Sequence, residues 1–150
     1  MTMPRPRRAP RLAGIGGALV LAALAGCGGA PRSTAPIPGL GQGDGEAAWA
    51  GTLSCVDCEG IDTRLILQRQ GGKGRYRLLE TYLSGDGDLD YAEQGSWEQV
   101  RAGVLLLRGD RGGQRLFGVV EGGALQLRDA LEGSRSGRDD DILTPVPAAP

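Results

Sequence analysis

Histidine is absent from all 150 residues. That removes the commonest general base and the usual triad partner of a nucleophile. It also removes the imidazole ligand that copper, nickel and catalytic zinc favour. Methionine occurs only at Met1 and Met3, inside what reads as a cleaved leader, so thioether ligands are missing too. Helical periodicity is scarce after residue 46. Only one long apolar run exists, Leu12 to Gly26, and about 15 such residues are short for a membrane span. A basic surface is also missing. Without the four leader arginines, the 17 basic residues fall to 13 against 18 acidic ones, a net charge of −5. Nothing in that balance favours nucleic acid as a partner.

The leader itself is legible. Arg5, Arg7, Arg8 and Arg11 precede the apolar run, the layout of a secretory signal over 1–26. The run ends in Leu24-Ala25-Gly26-Cys27. This resembles the lipobox of bacterial lipoproteins, which implies diacylation at Cys27 and an acyl anchor in membrane lipid. Gly28 follows, not the aspartate associated with inner-membrane retention. The expected location is the outer membrane, facing the periplasm. Residues 27–46 are rich in Gly, Pro and small polar residues and read as a flexible tether.

Residues 47–150 hold short apolar-alternating runs separated by glycine and acidic turns. The runs are 47–54, 63–69, 75–83, 93–100, 103–109, 114–120, 124–129 and 141–146. Eight short strands with tight connections predict an all-β antiparallel meander closed into a small, lipocalin-like barrel, because closure removes sheet edges. Alternation predicts inward sets of Ile61, Thr63, Leu65 and Leu67, of Tyr76, Leu78, Glu80 and Tyr82, and of Trp97, Val104 and Leu106. An inward Glu80 needs a partner. Arg64 and Arg77 lie on the opposite face, so the partner must come from another strand, or Glu80 sits near the barrel mouth. Tyr76, Glu80, Tyr82 and Trp97 together make a candidate ligand pocket; ordinary core with a solvated rim is the plainer reading.

Asp86, Asp88 and Asp90 have the spacing that opens a calcium loop. Tyr91 and Trp97 then stand where that loop needs glycine and glutamate, so a solvated acidic turn is expected. The Arg138–Asp141 run reads as a polar connector. Ser54 has no base to activate it.

Cys55, Cys58, Gly60, Leu65, Leu67, Glu80, Tyr82, Leu83, Gly95 and Trp97 form a C-x-x-C-x-G segment, a T-x-L-x-L strand, an E-x-Y-L strand and a G-x-W strand. This pattern resembles the N-terminal domain of the NlpE family over roughly 50–145. The resemblance implies a small lipocalin-like barrel on an outer-membrane lipoprotein. It further implies a part in copper homeostasis and in envelope-stress signalling, with an envelope-stress sensor protein as partner. Some members carry a second C-terminal domain with another cysteine pair. The sequence to Pro150 shows no such pair, so a role resting on it is not expected.

Three uses of Cys55 and Cys58 compete. A thioredoxin-type centre needs a helix N-terminus to stabilise thiolate, but a strand-like run follows, and Asp57, Glu59 and Asp62 oppose thiolate. A Cu(I) site on two soft sulfurs matches the family's copper association but needs the pair reduced. A local disulfide suits an oxidising compartment in which Cys27 is lipidated and the remaining count is even. The disulfide is the expected state. No catalysis is expected. The alternative is a binding module that carries a small apolar ligand or Cu(I).

Overall fold

Glycine turns and period-two alternation do produce strands. The computed structural model describes residues 36–128 and 141–148. The expected signal segment, Cys27 and the first part of the expected tether lie outside them. The strands are β1 (Gly45–Leu53), β2 (Gly60–Gln70), β3 (Lys73–Leu83), β4 (Leu89–Arg101), β5 (Val104–Gly109), β6 (Gln114–Val119), β7 (Leu125–Arg128) and β8 (Ile142–Val146). Each pairs antiparallel with the next, and β8 pairs with β1, closing an eight-stranded barrel. The 3₁₀ turn Glu121–Gly123 is the one helical element among the described residues. The β2–β3 hairpin shows the local logic. Gln70 pairs with Lys73 across Gly71 and Gly72, at φ 55° and 76°. Two consecutive positive φ angles suit a tight hairpin, and glycine adopts them without strain.

The interior is filled by side chains. Trp49, Leu65, Leu67, Tyr76, Leu78, Trp97, Leu105, Leu107, Phe117, Leu125 and Leu143 form one buried cluster. Full burial of an aliphatic or phenyl side chain of this kind is worth about 1.5–3 kcal/mol. The inward sets expected on β2 and β3 are found: Thr63, Leu65, Leu67, Tyr76, Leu78 and Glu80 are buried, and Ile61 and Tyr82 are half-buried toward one end.

Two expectations are corrected. Trp97 pairs with Leu107, and Gln99 with Leu105, so Leu105 and Leu107 share the Trp97 face. Val104 and Leu106 do not. Leu106 is buried but stands outside the core cluster, opposite Glu98 and Leu116. The run "VLLL" is apolar on both faces, so alternation cannot choose between them. A register shift between Gln99 and Arg101 settles it. The second correction concerns the expected tether. Ile37 and Leu40 are buried in the core cluster. A turn holds them, with the Leu40 amide donating to the Ile37 carbonyl at 3.0 Å. β1 also starts at Gly45, not 47. The apolar pair was hidden among glycines and prolines.

These residues close one end of the barrel. There the Trp49 indole N–H donates to the Gly123 carbonyl at 2.9 Å. Gly123 packs so closely on Pro38 that a Cβ would lie 2.6 Å from the proline ring. The opposite end gathers the end of β1, the start of β2, the end of β3 and the start of β4. It carries both cysteines.

Candidate functional site

At the cysteine end, β1 stops at Leu53 and the chain makes a short loop before β2. Cys55 and Cys58 form a disulfide across it, with Cα atoms 5.3 Å apart. The loop is held at both flanks. The Ser54 amide donates to Asp141 Oδ1 at 2.7 Å, and the Glu59 amide donates to the Leu83 carbonyl at 2.9 Å. Glycine fits where the loop rejoins the sheet, because a Cβ at Gly60 would lie 2.8 Å from Thr52 Cγ2 and the threonine side chain would have to shift. Val56, at the tip, is 96% exposed. As a disulfide, the two sulfurs offer no thiolate charge, so this state does not suit Cu(I). Among the described residues no group of three metal-ligating side chains converges.

Below this loop lies a polar cluster inside the barrel. Glu80 is 2% exposed. Arg115 of β6 grips it with two parallel hydrogen bonds, at 2.9 and 3.0 Å. A bidentate guanidinium is the geometry that best offsets the desolvation of a buried carboxylate. Arg115 comes from across the barrel, since β3 pairs only with β2 and β4. Tyr82 joins this pair through Arg115. Burial pushes the Tyr82 hydroxyl up, the Glu80 carboxylate adds to the effect, and Arg115 opposes it. Tyr76 donates to Glu93 Oε1. Its hydroxyl is held well above the ordinary tyrosine range, first by burial and then by this bond.

The four residues expected to line one pocket are therefore divided. Glu80 and Tyr82 meet Arg115, and Tyr76 turns to Glu93. Trp97 lies further toward the closed end, where its indole N–H donates to the Gln68 carbonyl at 2.9 Å and the Arg69 guanidinium sits over its ring. The polar atoms of all four have protein partners. A large concavity lies outside the barrel. It is a groove of about 710 Å³ on the outer face of β1–β4, lined by Ala50, Thr52, Asp62, Arg64, Leu79 and Thr81 among others.

The acidic turn is as expected. The Ser84 amide donates to Asp88 Oδ1, and Asp90, already in β4, accepts from Thr81 Oγ1 at 2.7 Å. Three contributors were missed from sequence. Arg115 had a signal, because it alternates with Phe117 and Val119 on an apolar face. Glu93 had the same kind of signal, two residues before Gly95. Asp141 had none, since it closes a run of like residues and its burial follows from the fold alone.

The NlpE N-terminal domain family model matches residues 49–136. The chain belongs to the NlpE N-terminal domain family. Lipoprotein NlpE of Escherichia coli strain K12 is 32% identical over 83 residues, which is 55% of this chain and 33% of that protein. The chain thus aligns with about a third of that relative's length. No solved structure matches. The NlpE match runs from Trp49, within β1, through β7 and includes the disulfide loop, Glu80 and Arg115.

Proposed function

We propose that this protein is an outer-membrane lipoprotein, anchored through acylated Cys27 and facing the periplasm, that acts in the envelope-stress or copper response by protein contact and not by catalysis. One observation carries the reading. In an NlpE-family barrel whose interior is occupied by Trp49, Tyr76 and Phe117, the disulfide loop is fixed at both flanks and turns an apolar tip to solvent. A rigid exposed loop suits recognition. The ionisable groups beneath it are paired with one another, and the chain has no histidine to serve as a base. A carrier is less well supported, because a carrier needs a hollow interior.

The test is overproduction of the anchored protein and of its Cys27→Ser variant in a host with an envelope-stress reporter. The anchored form should raise the reporter, and the variant should leave the membrane fraction. No response from the anchored form removes the contact-signalling reading. A Cys27→Ser protein still found with the outer membrane removes the acyl anchor.

A further inference from the structure

The barrel is closed, yet one of its strands has a free edge. β4 runs from Leu89, but its pairing with β5 begins only at Gly95. One bond extends that ladder, from the Asp110 amide to the Gln94 carbonyl at 2.9 Å. Leu89 to Glu93 project beyond it with β3 on one side only. Main-chain groups in an antiparallel strand alternate between its two neighbours. Gln94 faces the β5 side, so Ala92 and Asp90 face it as well. Their N–H and C=O groups have no strand to meet there among the described residues.

We propose that this edge is a strand-docking site for an extended segment of a partner polypeptide that alternates apolar and basic residues. The side chains along the edge dictate that chemistry. Leu89 and Tyr91 point to one face and are 68% and 42% exposed. With Val56 they are the exposed large apolar residues of the described chain. Asp90 and Ala92 point to the other face. From Ser84 to Glu93 the sequence has four acidic residues, Asp86, Asp88, Asp90 and Glu93, and no Lys or Arg; Glu80 and Glu98, paired with Arg115 and Arg108, do not belong to the edge. A hollow of about 280 Å³ lies beside the edge, lined by Tyr91, Ala92, Glu93 and Gln94. Arg77 and Arg111 line the same hollow. Arg77 pairs with Gln94, which leaves the acidic part toward Leu89.

A second copy of this chain is the poorer occupant. Antiparallel self-pairing about Tyr91 would set Asp90 against Ala92 and Glu93 against Leu89, and four carboxylates would share one short ladder. Acidic residues do blunt an edge against aggregation. Exposed Leu89 and Tyr91 do the opposite, and an edge that combines both recognises selectively. This site adds a second contact surface to the loop on which the proposed function rests, and its test does not use the stress response.

The test uses the secreted Cys27→Ser protein in low-salt buffer with a short peptide of alternating Lys and Val. A Glu/Val peptide is the control. Hydrogen exchange at the Asp90 and Ala92 amides should slow about tenfold with the Lys/Val peptide. The Tyr91 amide, which faces β3, should not change. Ala92→Pro removes an outward donor without touching the β3 ladder, and should weaken peptide binding about tenfold with the melting temperature retained. If Ala92→Pro does not fold, Leu89→Ser, which alters an exposed side chain, should still weaken binding. The proposal is overturned by no slowing at millimolar Lys/Val peptide, by equal slowing with Glu/Val, or by undiminished binding to the variants. Peptide-free dimerisation that protects the same amides also overturns it. A protein that docks the peptide but raises no stress reporter keeps this site and loses the signalling reading.

Discussion

Arg115→Met should be among the most damaging single changes to this barrel. It strands Glu80, whose side chain is 1% exposed, while Arg115 itself is 27% exposed. Removing one member of a buried pair costs about 3–5 kcal/mol, because the remaining charge stays desolvated. Partial exposure of Arg115 lets water approach the vacated space, so the low end, about 3 kcal/mol, is expected. For a domain of this size that is a fall in melting temperature of about 12–24 °C, against a total stability of about 5–15 kcal/mol. The double change Glu80→Leu, Arg115→Met removes both charges and should recover to within about 1 kcal/mol of the parent. Urea denaturation followed by circular dichroism measures all three proteins. A loss under about 1 kcal/mol for Arg115→Met, or a double variant weaker than the single, would refute the claim that the pair is buried and mutually required.

Trp97→Ala should cost about 3–5 kcal/mol in denaturant unfolding, since the indole is 6% exposed in the core; a change of a degree or two in melting temperature would place it outside. Cys55→Ser with Cys58→Ser should cost about 2 kcal/mol, the scale of closing so small a loop, and the native protein should show no free thiol from this pair in a thiol titration. Stability should fall with rising pH in the alkaline range. The Tyr76 hydroxyl is raised in the fold, so its contribution is complete below the unfolded tyrosine range near about pH 10 and is lost as pH climbs toward the folded value. Tyr76→Phe should flatten that alkaline decline in a pH series of melts, and an unchanged slope would mean the hydroxyl is not the group responsible.

All eight strands were legible, because alternation and glycine turns are local signals. Their inward faces were legible only where one face is polar. In β2 and β3 arginines and glutamines mark the outside, and Leu65, Leu67, Tyr76 and Leu78 were placed correctly. In β5 both faces are apolar, and a bulge decided what alternation could not. Ile37 and Leu40 were missed because a plug is made by tertiary contact and has no period of its own. The site was half legible. The disulfide follows from two thiols three positions apart, and Glu80 was recognised as needing a partner from elsewhere. Arg115 lies 35 residues away in sequence, and only barrel closure brings it across. The free edge of β4 was invisible, since it results from strands of unequal length: 13 residues in β4 against 6 in β5.

The cysteine loop is tied down by more than its disulfide. Ser54 is fastened to Asp141 on one side, and Glu59 to Leu83 on the other. Asp141 is 6% exposed and belongs to the segment entering β8, so this hold spans the chain from β1 to its last strand. Opening the sulfur–sulfur bond would therefore free only the residues between the two fastenings. The barrel, the Glu80–Arg115 pair and the β4 edge would keep their places. The shape of Val56 and its neighbours is thus the part of this end that redox state can change. A contact made by the loop tip would feel that change, whereas one made along β4 would not, although the loop borders the turn that leads into β4. Glu59 Oε1 already stands 3.9 Å from where a Cβ would be on Gly85, in the turn that leads into β4.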